Sequence, residues 1–378
     1  MRSLDLFFNI LKSALWGLDD RLDASSLSRN DVMVALRVAK SQTVLGMVAN
    51  EVMRTISLSA LLTDEDKVGL KRFVMSNLAT GQMLNNALVN IVQALRKHGI
   101  DPVLLKGQGI SKYYPIPELR QCGDIDIYVG QENFAKACEV IGEMSAPEDH
   151  QGDIASLKHF HTKIGSVFIE IHRFTDVYYP RRYDLKYQKI SDAGMHSNLV
   201  PMDFVGAEVL TPSIDFNVFF IFNHFWHHFI SDGVGLRQIC DWVRLLHVNY
   251  GKIDLDYLYN VLHELKLMKE WQVFGYIAVN TLGLPADEMP FYDAKYEKRA
   301  SKLLNLIIRE GNFGVEKHKE YKRPEGYFAG KLYTLTQNAK RDLYISQIFP
   351  MQAFKHISKV FFDGMRNLIC NKFSAHED

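Results

Sequence analysis

Apolar residues in the first part of the chain recur at intervals of three and four, as they do on one face of an α-helix. Near the N-terminus the residues with this spacing are Leu4, Phe7, Phe8 and Leu11. Polar residues interrupt this stretch and no small-residue cleavage site follows, so we expect an amphipathic helix rather than a signal peptide. The pattern predicts a helical segment over residues 1–98, with Gly99 as its stop.

A strand-like pattern begins after residue 101. It comprises an apolar run at 102–106, a short segment compatible with a helix at 107–114, and the alternating sequence DIDIYV at 124–129. A helical pattern at 131–144 is followed by SLKHFHTK and SVFIEIHRF, which we interpret as two antiparallel strands joined near Ile164 and Gly165. These elements predict an α/β core over residues 99–212.

Helical periodicity returns after Val209 and continues towards Asn371, which predicts a helical C-terminal domain over residues 213–378. The polar stretch 178–198 is a candidate joint between the core and this domain. The expected fold is therefore of the α+β class, with a small mixed or antiparallel sheet flanked by helical segments on both sides. The most apolar run, 216–222, is much shorter than the roughly 20 residues that a membrane span requires.

The composition is that of a globular protein, with 47% hydrophobic residues and 44 basic against 44 acidic side chains. A chain with no net charge has no global field that would attract nucleic acid or an anionic membrane. The four cysteines, Cys122, Cys138, Cys240 and Cys370, are far apart and suggest neither a zinc knuckle nor a disulfide framework. We therefore expect a cytoplasmic protein, and no residue pattern specifies an oligomeric state.

Three carboxylates stand out in the core. Asp124 and Asp126 are two residues apart in a strand and therefore project from one face, and the same alternation places Glu170 on the corresponding face of a later strand. Negative charges this close repel each other unless a cation lies between them, and carboxylate oxygens are ligands that suit Mg²⁺ or Mn²⁺. Three acids that hold two metal ions are typical of displacement reactions at phosphorus. The alternative without a functional role is a half-exposed strand whose aspartates are solvated.

The turn upstream of these acids has features that suit a phosphate. Gly107 and the residues after it let backbone N–H groups approach an anion, and Lys106, Gln108 and Arg120 could supply further contacts. As isolated features these are common surface residues, and their value lies in their position beside the carboxylates. His172 lies on the carboxylate face and could contact the same ligand.

The segment 104–129 resembles the polymerase-beta-like nucleotidyltransferase superfamily, in which a strand ends in glycines, a short helix follows, and Asp-x-Asp and a later third acid hold the metal. The motifs LLKG, YYP, GDIDIYV and FIEIH, together with Arg120, are more closely similar to the uncharacterised nucleotidyltransferase family within it. By this resemblance Gly107 matches the strand-end glycine, Asp124 and Asp126 the metal pair, and Glu170 the third acid. Gln108 departs from the usual Gly or Ser.

Two further groups lie on the predicted downstream helices. His224 and His228 share a helix face, a spacing that suits either zinc or a packing role, and we expect His224 to line the substrate cleft. Arg237 and Asp241 are also four residues apart and predict either a surface ion pair or a substrate contact.

The resemblance implies a metal-dependent transfer of a nucleoside monophosphate from an NTP, ATP among the candidates, to an unidentified acceptor hydroxyl, with release of pyrophosphate. Asp124, Asp126 and Glu170 would be catalytic and bind Mg²⁺ or Mn²⁺, while Lys106 and Arg120 would neutralise phosphate charge. Two alternatives remain open. One is a kinase-like phosphotransferase that uses the same acids, and the other is a nucleotide-binding protein that has lost catalysis.

Overall fold

The N-terminal quarter of the chain is helical, as the apolar spacing predicts. The computed structural model describes residues 2–18, 24–146, 159–178, 180–314 and 327–358. The N-terminal helices are α1 Arg2–Trp16, α2 Arg29–Ser41, α3 Leu45–Arg54, α4 Ile56–Ser59 and α5 Asp64–Lys97. Helix α5 begins with a capping box, in which Thr63 and Asp66 satisfy each other's backbone N–H groups. It ends at Lys97 with His98 as the C-cap, just before Gly99, whose φ is +76°.

The core contains one six-stranded mixed sheet with the strand order β3-β4-β2-β1-β6-β5. The strands are β1 Val103–Leu104, β2 Asp124–Tyr128, β3 His159–Ile164, β4 Val167–His172, β5 Val200–Phe204 and β6 Ala207–Thr211. Strand β2 runs parallel to β4 and β1 parallel to β6, whereas the remaining neighbours are antiparallel. The helices among them are α6 Gln108–Ser111, α7 Gly130–Gly142 and α8 Arg181–His196. The predicted β3–β4 pair is confirmed, and its expected start at 156–158 lies outside the described residues.

Two elements of the core differ from the sequence expectation. The stretch 178–198, which we expected to be a joint, contains helix α8, and the hairpin of β5 and β6 was not predicted. The hairpin turn consists of Val205 and Gly206, both with positive φ (53° and 79°). Two positive φ values suit a tight hairpin turn, but a β-branched residue such as Val205 rarely adopts a positive φ. The sequence therefore lacks the usual residues of a hairpin turn at this position.

Helices dominate the chain after the sheet, as predicted. They are α9 Ile214–Ser231, α10 Leu236–Val248, α11 Leu255–Glu264, α12 Met268–Asn280, α13 Glu297–Glu310 and α14 Tyr327–Ser346. Large aromatic side chains fill their interior, including Phe222, Trp242 and Trp271, which contact one another. Within the described residues, none of the helices combines the length and apolarity needed to cross a bilayer. The helical expectation near Asn371 lies outside the described residues.

The sheet has an apolar core on each face. Ile125 and Ile127 of β2 pack with residues of α5 and α7, while Tyr128 belongs to a larger cluster that includes residues of α1, α9, α10 and α12. Because neighbouring residues of a strand point to opposite faces, Asp126 shares the face of Tyr128. The carboxylates therefore lie on the side of the sheet that faces the C-terminal helices.

Candidate active site

A cavity of about 760 Å³ opens between the carboxylate face of the sheet and helices α9 and α10. The sequence-predicted residues that line it are Lys106, Gly107, Arg120, Asp124, Asp126, Glu170, His172, His224, Arg237 and Asp241. They come from β2, β4, α9, α10 and the loops after β1 and before β2. The fold thus brings ten positions that are up to 135 residues apart into one cavity, and of the predicted residues Gln108 alone is not among the lining residues.

Asp126 is the buried acid of this cavity, with 1% of its surface exposed. The parallel pairing of β2 and β4 sets it directly beside Glu170. Its Oδ1 lies 2.9 Å from His172 Nε2, and its Oδ2 is buried without a hydrogen-bond partner among the described residues. A buried carboxylate oxygen is costly to leave unpaired, so this oxygen is suited to a ligand that the protein itself does not supply.

Lys106 partly neutralises this acid. Its Nζ lies 3.1 Å from Asp126 Oδ1 and 3.2 Å from His224 Nε2. Burial disfavours the charged forms of Lys106 and Asp126, but the opposite charges and hydrogen bonds around each group together outweigh it. The pKa of Lys106 is consequently raised, and the pKa of Asp126, which also accepts the His172 hydrogen bond, is held well below its usual range. Both groups are therefore charged near neutral pH.

Asp124 lies at the exposed start of β2 and also faces the cavity. The charge of Asp126 raises the pKa of the Asp124 carboxyl group, as expected for two acids on one face. One donor group here consists of Asp126, Glu170 and His172, whose ligand atoms lie within 4.8 Å of one another. These donors and the unpaired Asp126 oxygen fit a divalent cation, with Asp124 beside them at the mouth.

Arg120 and Asp241 form a buried ion pair that the sequence did not predict. Arg120 Nε donates to Asp241 Oδ1 at 2.8 Å and Nη2 donates to Oδ2 at 2.6 Å. Tyr114 OH also donates to Asp241 Oδ1 at 2.7 Å. The expected surface pair of Arg237 with Asp241 is absent from the described residues, because Arg120 occupies both carboxylate oxygens. The fork of Arg120 is thus engaged by the protein itself.

Arg237 is less fully engaged. Its Nη1 donates to the Gln121 carbonyl at 2.8 Å, and its Nε is buried without a partner among the described residues. Its charge also lowers the pKa of Asp124, against the larger effect of Asp126. Arg237 therefore brings a guanidinium group with spare donors to the cavity.

The loop after β1 approaches the carboxylates through its backbone. Gly107 has φ +62°, and a Cβ built there would lie 3.6 Å from the Asp124 carbonyl oxygen. This backbone conformation strongly favours glycine. Gln108 is 2% exposed, and both side-chain amide atoms lack partners within the described residues. Its side chain faces the interior rather than the cavity.

A histidine cluster lines the helical wall. The rings of His224 and His228 are 4.5 Å apart, and burial followed by the charge of Lys106 lowers the pKa of His224 well below its usual value and that of His228 to about 4. These neutral rings pack together as the structural alternative anticipated. Next to them His227 Nδ1 lies 2.6 Å from Asp176 Oδ2, a pair that the sequence analysis missed because Asp176 sits in a segment without regular periodicity.

The sequence of the chain matches a known protein family. The family model described as "Uncharacterised nucleotidyltransferase" matches residues 28–283, which include every lining residue named above. A crystal structure of an antigenic nucleotidyltransferase-like protein from Paracoccidioides brasiliensis is 14% identical, covers 50% of this chain and 90% of its own, and aligns with a TM-score of 0.29. No curated protein matches the chain. Because the family model spans well over half of the sequence, the chain belongs to the uncharacterised nucleotidyltransferase family.

Proposed function

We propose that this cavity transfers a nucleoside monophosphate from an NTP to an acceptor hydroxyl and releases pyrophosphate. The observation that carries the proposal is the buried carboxylate of Asp126, which has one oxygen without a partner among the described residues and stands beside Glu170 in the cavity. Membership of the nucleotidyltransferase family supports the reaction class.

Asp126 and Glu170, with Asp124 at the mouth, are the residues that would hold Mg²⁺ or Mn²⁺. Such a cation, when bound, neutralises phosphate charge and favours the ionised form of the attacking hydroxyl. His172 acts as a positioning residue, because its Nε2 lies at hydrogen-bond distance from Asp126 Oδ1 and thereby fixes which oxygen remains available.

Cationic groups and a glycine beside the carboxylates would bind the phosphates. Lys106 supplies a partly buried ammonium group, Arg237 a guanidinium group with spare donors, and Gly107 a backbone that can approach the anion closely. In the sequence analysis Arg120 shared this role with Lys106. We now assign it to Arg237, since Asp241 occupies the Arg120 fork.

The reaction is an in-line displacement. The acceptor oxygen forms a bond to the α-phosphorus as the bond from that phosphorus to the bridging oxygen breaks, and pyrophosphate leaves with the electron pair. Glu170 accepts the hydroxyl proton at its carboxylate, whose Oε1 lies 2.8 Å from His159 Nδ1. The main contributions of the protein are positioning and charge neutralisation.

The test follows label from α-labelled and γ-labelled NTPs, supplied with Mg²⁺ or Mn²⁺ and an extract of metabolites and macromolecules. We expect α-label on a new product with the wild-type chain, and a loss of about a thousandfold or more with Asp126→Asn, because several kcal/mol of transition-state stabilisation disappear. Asp192→Asn, an exposed substitution on α8, is the matched control and should leave the rate unchanged.

Two outcomes would overturn the proposal. Transfer of γ-label in place of α-label would establish a phosphotransferase. Bound nucleotide without transfer of either label, across the extract fractions, would favour a binding protein without catalysis. A circular dichroism spectrum of Asp126→Asn that matches the wild type separates loss of activity from loss of fold.

A further inference from the structure

We propose that His159, His161 and Glu170 form a second metal site at the mouth of the cavity, selective for a zinc-class ion that accepts nitrogen ligands. This site is chemically distinct from the oxygen-rich group around Asp126. It goes beyond the proposed function, because its occupation does not depend on nucleotidyl transfer.

The β-sheet register creates the site. His159 and His161 are alternate residues of β3 and therefore project from the same face. The antiparallel pairing of β3 with β4 places His161 directly opposite Glu170. All three side chains line the cavity, and none of them is fully buried. A dissolved ion can therefore reach them without rearrangement of the core.

The donor atoms have the spacing of a metal site. His159 Nδ1 lies 2.8 Å from Glu170 Oε1, His161 Nε2 lies 3.7 Å from the same oxygen, and the three donors lie within 4.8 Å of one another. Zinc bonds to nitrogen and oxygen are about 2.0–2.2 Å long, which at tetrahedral angles separates neighbouring ligand atoms by about 3.4 Å. The two measured distances lie on either side of this value, so small side-chain rotations suffice.

The chemistry of the donors selects the ion. Two imidazole nitrogens and one carboxylate suit Zn²⁺ or Co²⁺, whereas Mg²⁺ prefers an octahedral shell of oxygen atoms. Three protein ligands leave a fourth position, which at this place faces the cavity. That position is the one a water molecule or a phosphate oxygen would take.

Glu170 connects the two groups of donors. Its Oε1 lies 3.7 Å from His172 Nε2 and also belongs to the cluster with Asp126. An ion held by His159 and His161 therefore engages the carboxylate that the proposed reaction needs. Zinc-class ions should consequently inhibit the transfer reaction by drawing Glu170 away from Asp126.

The experiment titrates Co²⁺ into the tag-free chain and follows its visible absorption, which reports the ligand geometry directly. We expect a saturating spectrum of tetrahedral type with the wild type, binding at least about tenfold weaker in His161→Gln, and displacement of the spectrum by Zn²⁺. The matched control is His263→Gln, an exposed histidine of α11 away from the cavity. It should bind Co²⁺ as the wild type does.

The variant Asp126→Asn locates the ion. We expect it to retain the cobalt spectrum, because Asp126 is not a member of the histidine site. Loss of the spectrum in Asp126→Asn together with its retention in His161→Gln would place the ion at the oxygen-rich group and overturn the proposal. Equal Co²⁺ binding by the wild type and His161→Gln, or no Co²⁺ binding by either, would also overturn the proposal. The contact between His159 and Glu170 would then be a hydrogen bond without a metal ion. None of these readings requires turnover, so they stand apart from the test of the transfer reaction.

Discussion

The two carboxylate oxygens of Asp126 have different surroundings in the cavity. Burial of a carboxylate costs several kcal/mol unless partners compensate for the lost hydration. Lys106 and His172 supply such partners, but both contact Oδ1, and Oδ2 has none among the described residues. An acid that served stability alone would be expected to have both oxygens satisfied. The unpaired oxygen is therefore the clearest sign of a ligand.

The role of Arg237 is testable at the same scale. We expect Arg237→Gln to raise the KM for NTP by about tenfold to a hundredfold, with a smaller effect on kcat, because a charge-assisted contact to phosphate contributes about 1.5–3 kcal/mol. The measurement is steady-state kinetics at saturating acceptor. Arg181→Gln, at the exposed start of α8, is the control. An unchanged KM in Arg237→Gln would remove this residue from the phosphate site.

Local alternation was sufficient to predict the acidic face. The period of two along β2 and β4 correctly predicted that Asp124, Asp126 and Glu170 would share one side of adjacent strands. The partner of Asp241 could not be found in this way, because Arg120 is 121 residues away in sequence. The helical spacing pointed to Arg237 instead, since a local pattern cannot anticipate a tertiary contact.

At the scale of elements, the Arg120–Asp241 pair fastens the loop before β2 to α10. Removal of one partner leaves the other as an uncompensated buried charge. We therefore expect Asp241→Asn to lower the free energy of unfolding by about 3–5 kcal/mol, measured by urea denaturation. Asp192→Asn, which alters an exposed pair with His196, should change it little. A loss as small as that of the control would show that the pair is not structurally important.

Helix packing gives a second test. Gly194 of α8 lies against Phe216 of α9, and a Cβ at this position would come within 2.2 Å of the aromatic ring. We expect Gly194→Ala to destabilise the protein by about 1–3 kcal/mol through overpacking. Gly69→Ala on exposed α5, where a Cβ meets nothing within 4 Å, should instead stabilise it by about 0.5–1 kcal/mol. Thermal unfolding of both variants checks the expectation, and equal effects would contradict it.

The elements with a clear apolar pattern, including the short strands β2, β3 and β4, were predictable, whereas helix α8 and the β5–β6 hairpin were not. Helices α5 and α10 show clear helical periodicity, and α9 is a long apolar run that is buried over most of its surface. The β5–β6 hairpin has five residues in each strand, a proline in the first and a valine in its turn. Its stability comes from pairing with β1, which local sequence does not reveal.

The whole molecule places the carboxylate face of a small sheet against a large helical body. Helix α1 belongs to the same apolar cluster as α9, α10 and α12, and Trp16 Nε1 donates to the Leu282 carbonyl at 2.7 Å. The N-terminal helices therefore help to hold the C-terminal wall of the cavity. The segment boundaries at residues 98 and 212 remain predictions.

The two walls supply different chemistry to the cavity between them. The sheet provides acids and the loop after β1, while the helical wall provides Arg237 and the neutral histidines. A nucleotide bound in the cavity would contact both walls. The family match, which runs from residue 28 through α12, includes the sheet as well as α9 and α10 of the helical wall.

The most direct test of the account is the ratio of α-label incorporated into product to pyrophosphate released, measured with wild type and Asp126→Asn in parallel. Nucleotidyl transfer predicts equal amounts of the two with the wild type, and neither above background with the variant. Release of orthophosphate with γ-label on the product, or undiminished pyrophosphate release by folded Asp126→Asn, would contradict the assignment of this cavity.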